Sequence, residues 1–139
     1  MSIAETEEEI IEEFGLFGDD WEGKYEYLID LGKSLPLIDP QYKTEQYLIK
    51  GCQSQVWLNA EYRNGKVFFT ADSDAIITKG IIALLIRVLN DRVPDEIVKA
   101  DMNFIDKIGL KENLSPTRAN GLVSMIKQMK LFALALQNK

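Results

Sequence analysis

The spacing of hydrophobic and polar positions changes along the chain, and each change indicates a different kind of element. Residues 2–14 carry a thin apolar stripe, and the spacing of Ser2 and Glu5 is that of a capping box at a helix start. After a glycine-containing break, apolar residues return at helical spacing from the Asp-Asp pair before Trp21 to about Lys33. The first quarter of the chain is therefore predicted to form two helices.

Between positions 54 and 72 the hydrophobic period shortens to two. Apolar and polar residues alternate from Val56 onward, and Asn64-Gly65 interrupts the alternation before a second β-prone run begins at Val67. Asn-Gly between two such runs is the strongest short-range signal for a two-residue hairpin turn. The pattern predicts a β-hairpin, and residues 46–50 are expected to add a short edge strand.

The segment after the hairpin is apolar on nearly every side, which is typical of a helix in the centre of a fold. Asp72 and Asp74 are its two candidate N-cap residues. Gly80 lies in the helix interior, where glycine costs about 1 kcal/mol relative to alanine. We therefore expect Gly80 to permit close packing of this helix against the sheet.

Two further helix starts follow. Pro94 precedes two acidic residues, a favoured first turn, and predicts a shorter helix. Ser115 and Pro116 open the last helix, whose apolar residues recur at helical spacing. The face predicted to pack inward comprises Leu122, Met125, Ile126, Met129, Ala133 and Leu136.

The composition is that of one soluble globular domain spanning 1–139, with 46% hydrophobic and 27% charged residues. The net charge of −6 is uneven, because the first 22 residues hold nine acids and no base. An acidic arm of this kind argues against contact with nucleic acid or an anionic membrane. It either steers a basic protein partner or forms a solvated helix face that aids solubility.

The N-terminus lacks the apolar stretch of a secretory signal, and the most hydrophobic segment, 75–89, is too short and too charged for a membrane span. Cys52 is the only cysteine, and histidine is absent from the chain. A lone thiol cannot close an intramolecular disulfide or build a Cys/His zinc site. It suits a reducing compartment, so we expect a cytoplasmic protein.

The neighbours of Cys52 favour an accessible loop over the buried packing role that free cysteine often has. Gly51 precedes the thiol and the polar run Gln-Ser-Gln follows it. Arg118 lies in the first turn of the last helix, against the helix dipole, so its charge serves another purpose. It either pairs with a surface carboxylate or approaches Cys52, where a guanidinium lowers a thiol pKa.

No phosphate loop, dinucleotide fingerprint or zinc-ligand spacing is present in the sequence. A helix start explains Asp72 and Asp74 more simply than metal ligation does. The aromatic residues lack the basic surroundings of a nucleobase-stacking platform, so they are interpreted as core or partner contacts.

Several blocks of the sequence, in this order, resemble the SufE family of sulfur-acceptor proteins over essentially the whole chain. The most specific block surrounds Cys52. The blocks are Trp-Glu-Gly-Lys-Tyr at 21–25, Gly-Cys-Gln-Ser-Gln-Val-Trp at 51–57, Asp-Ser-Asp-Ala at 72–75 with Lys-Gly at 79–80, and Ser-Pro-Thr-Arg at 115–118 with Gly-Leu at 121–122.

The resemblance implies an α+β fold, with a small antiparallel sheet packed against helices, shared with IscU-type scaffolds. It also implies that Cys52 accepts persulfide sulfur from a pyridoxal-phosphate cysteine desulfurase of the SufS or CsdA type, stimulates that enzyme, and passes the sulfur to a SufB-like iron–sulfur scaffold. Arg118 matches an arginine near the acceptor, and Asp74 matches a supportive acidic position. The chain itself is expected to be a carrier rather than an enzyme, without a cofactor of its own.

Other hypotheses remain beside this one. An IscU-type scaffold shares the fold, but building a cluster requires several cysteine or histidine ligands. An enzyme with a cysteine nucleophile ordinarily pairs the thiol with histidine as base. Within the family, SufE-type and CsdE-type carriers serve different desulfurases and acceptors, and the sequence does not separate them.

Overall fold

The computed structural model describes residues 1–137 and has the α+β architecture expected from the sequence. A two-stranded antiparallel sheet packs against helices, with α3 in the centre. The elements are α1 (Ile3–Gly15), α2 (Trp21–Lys33), β1 (Val56–Arg63), β2 (Lys66–Ser73), α3 (Ile76–Leu89), α4 (Pro94–Lys99), α5 (Phe104–Lys107) and α6 (Pro116–Leu136), with short 3₁₀ turns at Pro40–Tyr42, Glu45–Tyr47 and Lys111–Asn113.

The hairpin forms where the alternating pattern predicts it. Val56 pairs with Ser73 and Arg63 pairs with Lys66, so the turn consists of Asn64 and Gly65. Both turn residues have positive φ, 53° and 80°, as a tight turn between twisted strands requires. The inward side chains, which fill one face of the core, are Val56, Leu58, Val67, Phe69 and Ala71.

The edge strand predicted for residues 46–50 is not formed. Glu45–Tyr47 is a 3₁₀ turn instead, and only a single β-bridge joins Leu48 to Trp57. Gly51, at φ 94°, then turns the backbone away from the sheet. The segment therefore leads into the loop that carries Cys52 and does not extend the sheet.

Helix α3 is buried on most sides, as predicted, but Gly80 approaches α2 and not the sheet. A Cβ atom at position 80 would lie 2.1 Å from the carbonyl oxygen of Leu28, and one at Gly32 would lie 2.8 Å from the Gly80 nitrogen. The absence of side chains at these two positions lets the backbones of α2 and α3 touch. The predicted close approach is confirmed, and its predicted partner was wrong.

The start of α3 also differs from the prediction. Its N-cap is Ala75, which offers no side-chain acceptor, because β2 continues to Ser73. The Asp72 carboxylate instead pairs with Lys43 at 3.0 Å and with Lys79 at 3.3 Å. Burial alone would raise the pKa of Asp72, but the hydrogen bonds from Lys43, the Ser73 N–H and Lys79 outweigh it and lower the pKa.

The acidic arm is part of the folded structure. Ser2 and Glu5 form the predicted capping box at the start of α1. Arg87 on α3 binds both carboxylate oxygens of Glu13 at 2.6 Å and reaches Glu9 at 3.1 Å. Some of the negative charge of the arm therefore holds α1 against α3.

Helix α6 begins as predicted, with Ser115 accepting a hydrogen bond from the Arg118 N–H at 3.3 Å. Four residues of its predicted inward face are buried, while Ile126 and Leu136 are partly buried against the core. Among residues 1–137, no helix is both long and apolar enough to cross a membrane.

Candidate functional site

Cys52 lies between the Glu45–Tyr47 turn and β1, with its side chain half-buried against α6. The thiol donates a hydrogen bond to the carbonyl oxygen of Gly121 at 3.6 Å. A Cβ atom at position 121 would lie 3.6 Å from Sγ, so this glycine is in contact with the sulfur. The side chain is thus partly buried against the core, although the residue lies in a loop as the sequence predicts.

A cavity of about 260 Å³ adjoins the thiol. Its inner wall includes Ile81 and Met125, each 1% exposed, and its outer wall is formed by the first turn of α6. The lining residues are Cys52, Gln53, Ser54, Thr78, Ile81, Ser115, Thr117, Arg118, Gly121 and Met125. The cavity lining is therefore mostly apolar at its buried end, where Thr78 adds one hydroxyl group, and polar toward solvent.

The protonation state of Cys52 follows from its surroundings. Burial raises the pKa of the thiol above its ordinary value, because removing water disfavours the thiolate. The Gly121 carbonyl oxygen accepts the S–H hydrogen and would face a thiolate with like partial charge. In this resting conformation Cys52 is a protonated thiol at neutral pH, and reactivity requires a change in its surroundings.

Arg118 is exposed at the outer wall of the same cavity. Within residues 1–137, no carboxylate lies within ion-pair distance of its guanidinium. Its backbone N–H donates a hydrogen bond to the Ser115 hydroxyl, and this bond fixes the helix start. The bond involves only the backbone of Arg118, so it does not set the direction of the side chain. The structure thus brings Arg118 and Cys52 to one cavity, while a lowering of the thiol pKa by Arg118 stays a prediction.

Asp74 does not line the cavity and lies at the far end of the Cys52 loop, defined here as residues 51–55. Its Oδ1 accepts a hydrogen bond from the Gln55 N–H at 3.0 Å, and its own N–H donates to the Gln55 carbonyl at 3.3 Å. The Ser73 hydroxyl donates to the same carbonyl at 2.8 Å. Asp74 therefore anchors the loop to the start of α3.

The other end of the Cys52 loop contacts α6 at Ser124, a residue that the sequence did not single out. A Cβ atom at Gly51 would lie only 2.3 Å from the Ser124 hydroxyl oxygen. Nothing in the sequence pattern marks Ser124, because it is one polar residue in a long helix. Thr78 and Ile81 also line the cavity; they are three positions apart and so share one face of α3, but nothing in the sequence ties that face to Cys52.

Lys43 connects the loop after α2 to the strand that follows Cys52. Its ammonium lies 5.0 Å from the ring centroid of Trp57 and pairs with Asp72. This cation–π contact covers one side of the first residues of β1. Among residues 1–137, no cluster of three or more Cys, Asp or Glu side chains is arranged as metal ligands would be.

Comparison with known families gives a match to the SufE family model, described as an Fe-S metabolism associated domain, over residues 8–133. An uncharacterized SufE-like protein of Rhizobium etli is 40% identical over 128 residues, covering 88% of this chain and 86% of the relative. An uncharacterized SufE-like protein of Synechocystis is 41% identical over 114 residues, covering 82% and 72%. Both relatives match the chain over most of its length.

A longer relative and a solved structure add to this result. SufE-like protein 1 of Arabidopsis thaliana, whose name places it in chloroplasts and mitochondria, is 44% identical over 119 residues; the match covers 84% of this chain and only 32% of the plant protein. The solution structure of a hypothetical protein from Thermus thermophilus superposes with a TM-score of 0.80, covering 96% of this chain and 97% of that protein. At 20% identity, that likeness concerns the fold alone.

Proposed function

The chain belongs to the SufE family, and on that premise we propose that it accepts persulfide sulfur on Cys52 from a pyridoxal-phosphate cysteine desulfurase of the SufS type. We further propose that it stimulates the desulfurase and passes the sulfur to a SufB-like iron–sulfur assembly scaffold. Pyridoxal phosphate belongs to the desulfurase, and this chain acts as a carrier without a cofactor of its own. A CsdE-type carrier with another final acceptor is the variant of this function that shares the same site.

The observation that carries the proposal is the placement of a lone thiol beside a cavity larger than the thiol itself. A carrier needs one sulfur, since a second nearby thiol would attack the persulfide and release the cargo. Cys52 is the only cysteine of the chain. The adjoining volume of about 260 Å³ gives the added sulfur atom a place that is partly shielded from solvent.

Sulfur acceptance requires the Cys52 thiolate. The thiolate attacks the outer sulfur of the desulfurase persulfide, a new S–S bond forms, and the desulfurase cysteine leaves as a thiolate. Because the resting thiol is held protonated against the Gly121 carbonyl, we expect docking to move the thiol off this carbonyl and toward the cavity mouth at the first turn of α6. The proton is released when the sulfur enters a more polar environment.

Two neighbours have separate tasks in this scheme. Arg118, at the cavity mouth, supplies the positive charge that favours the thiolate or the persulfide anion once the loop moves. Asp74 holds the C-terminal end of the loop through Gln55, so it sets how far the loop opens. Arg118 thus acts on the sulfur, and Asp74 acts on the loop that carries it.

The scaffold hypothesis receives less support from the same site. Iron–sulfur clusters are held by several cysteine ligands, sometimes with histidine, and this chain offers one cysteine and no histidine. A cluster could form here only with ligands from other molecules. The hypothesis of a cysteine enzyme lacks the imidazole base on which such enzymes rely.

Intact-mass spectrometry tests the proposed function directly. The full chain is mixed with an active cysteine desulfurase and free cysteine without reductant, and we expect a mass gain of one or more sulfur atoms that dithiothreitol removes. Cys52→Ser should fold and bind the desulfurase but gain no sulfur. Absence of any gain in the wild-type chain, with desulfurase turnover verified, would contradict the function.

A second arm of the experiment addresses the finer roles. Arg118→Ala should slow sulfur acceptance while the midpoint of urea unfolding stays unchanged. Desulfurase turnover should rise when the wild-type chain is added and should not rise with Cys52→Ser. Unchanged transfer kinetics in Arg118→Ala would remove this residue from the site.

A further inference from the structure

We propose that the cavity beside Cys52 binds small thiols that carry a carboxylate, and that such thiols take the sulfur from the Cys52 persulfide. The inference rests on the proposed function, because it names a class of acceptor for sulfur held at the same residue. Three features of the cavity carry it: its size, the change from apolar to polar along its walls, and the sign of its charge.

The cavity is too large for the cargo sulfur alone. Its volume of about 260 Å³ is a little below the roughly 300 Å³ at which pockets for drug-sized ligands begin. A single sulfur atom added to Cys52 fills a small part of this space. The remaining volume accommodates a molecule of several heavy atoms next to the outer sulfur.

The walls of the cavity change from apolar to polar between its inner and outer ends. Ile81 and Met125, both buried, line its inner end together with the buried residue Thr78. Thr117 and Arg118, both exposed, form the outer end. This order suits a ligand whose thiol enters first, because sulfur is soft and polarizable while the opposite end of the ligand stays hydrated.

The outer end of the cavity favours an anion. Arg118 is the one ionised side chain among the described residues of the lining, and the walls contain no carboxylate. The first turn of α6 contributes the positive end of a 21-residue helix at the same place. Arginine binds a carboxylate through two parallel hydrogen bonds, so a carboxylate is the anion expected there.

The transfer step conserves atoms and electrons without an oxidant. The thiolate of the bound ligand attacks the outer sulfur of the Cys52 persulfide, and a new bond forms between the two sulfurs. The Cys52–sulfur bond breaks, and its electron pair leaves with Cys52 as a thiolate. Cys52 then takes up the proton that the ligand thiol lost, and the ligand departs as a small persulfide.

The test compares 3-mercaptopropionate and 3-mercapto-1-propanol, which have the same three-carbon chain and differ in the carboxylate. Inorganic polysulfide loads Cys52 in the full chain, so the measurement is independent of any desulfurase. Intact mass follows the loss of one sulfur atom from the chain. Each rate constant is then divided by the rate constant for the reaction of the same thiol with a small persulfide in solution. We expect the corrected ratio to favour mercaptopropionate about tenfold, the effect of one charge-assisted hydrogen bond.

Variants then assign the preference to Arg118. Arg118→Ala is expected to remove the preference, and Arg118→Lys to retain part of it. Lys127→Ala is the matched control, since Lys127 lies on the opposite side of α6 and lines a different groove. Equal corrected rates for the two thiols in the wild-type chain, or a preference that survives Arg118→Ala, would overturn the proposal.

The failure of this inference and the failure of the proposed function are distinguishable. A chain that gains sulfur from a desulfurase but treats both thiols alike is a carrier without this acceptor site. A chain that prefers mercaptopropionate after polysulfide loading but takes nothing from a desulfurase has the acceptor site and lacks the carrier function. If polysulfide does not load Cys52, the preference is measured with the symmetrical disulfides of the two thiols. The rate at which each disulfide forms a mixed disulfide with Cys52 is then compared.

Discussion

The contact between α2 and α3 and the contact between the Cys52 loop and α6 both depend on glycine, yet different forces hold them. At the first contact, Gly80 touches the backbone of Leu28 inside the hydrophobic core. At the second, Gly51 touches the hydroxyl of Ser124 on the surface, and the loop is otherwise held by a few hydrogen bonds.

The difference teaches how the fold separates a fixed part from a movable part. Backbone packed against backbone in a core has no space to relax, because protein interiors are close-packed. A loop that contacts one side chain and is held by a few exposed or part-buried hydrogen bonds opens at low free-energy cost. A sulfur carrier requires both, since the thiol has to move while its platform on α3 and α6 stays in place.

Gly80→Ala gives the largest expected effect and tests the fixed part. The added Cβ would lie 2.1 Å from the Leu28 carbonyl oxygen, so α2 and α3 have to separate. Overpacking costs about 1–3 kcal/mol, and contact with backbone places this change at the upper end or beyond. The measurement is urea unfolding followed by circular dichroism.

Gly15→Ala is the matched control, because nothing lies within 4 Å of a Cβ at the end of α1. We expect it to change the free energy of unfolding by less than about 0.5 kcal/mol. Equal destabilisation by the two substitutions would show that the α2–α3 contact is not the rigid element described here.

Gly51→Ala is expected to have the next largest effect and to act on the movable part. Alanine at φ 94° is strained, at a cost of about 1–2 kcal/mol, and its Cβ would also clash with the Ser124 hydroxyl. Combining it with Ser124→Ala should relieve the clash and leave the backbone strain. Urea unfolding of the single and double variants separates the contribution of the clash from that of the backbone strain. If the double variant were as stable as the wild-type chain, the predicted backbone strain at position 51 would be contradicted.

Asp74→Ala should loosen the loop with a smaller effect on global stability. It removes the acceptor of the Gln55 N–H, a hydrogen bond whose net contribution is about 1 kcal/mol. An opening equilibrium shifted by that amount predicts alkylation of Cys52 by iodoacetamide about fivefold faster. Asp30→Ala, which removes an exposed carboxylate on α2, should leave the alkylation rate unchanged; an equal rate in both variants would argue against the anchor.

The regular elements could be predicted from the sequence because their signals are local. Ser2, Asn64 and Ser115 mark a helix start, a turn and a second helix start through their immediate neighbours, and each prediction is confirmed. The packing partner of Gly80 could not be predicted. A glycine inside a helix indicates that another element packs closely there, but it does not indicate which element. The capping role given to Asp72 and Asp74 was wrong because β2 continues to Ser73. Both carboxylates instead bind groups that are distant in sequence, Asp72 to Lys43 and Asp74 to the Gln55 N–H.

The candidate site was predictable in part for the same reason. Cys52 and Arg118 are unusual residues in unusual places, so the sequence singles them out, and the fold brings both to one cavity. Ser124 and the Gly121 carbonyl could not be found in this way, because their importance arises only when α6 packs against the loop. The protonated resting state of Cys52 also depends on burial, which the polar sequence around it does not indicate.

The pH dependence of stability gives the smallest expected effect and compares the two contacts once more. Burial raises the pKa of Cys52 in the folded chain, so its contribution to stability is present below the pKa of an unfolded thiol, about 8.5, and is lost as pH rises through the higher folded pKa. Because Cys52 is half-exposed, the loss should amount to only roughly a few tenths of a kcal/mol. Urea unfolding of the wild-type chain and of Cys52→Ser between pH 7 and 10 measures this loss as a difference in the free energy of unfolding that changes only above about pH 8.

The difference in the free energy of unfolding between wild type and Gly80→Ala should stay constant over this range, because no titratable side chain takes part in that contact. A Cys52 difference that changed in the opposite direction would mean that the resting thiol is stabilised as the thiolate, and that the loop is already poised for attack before a partner arrives.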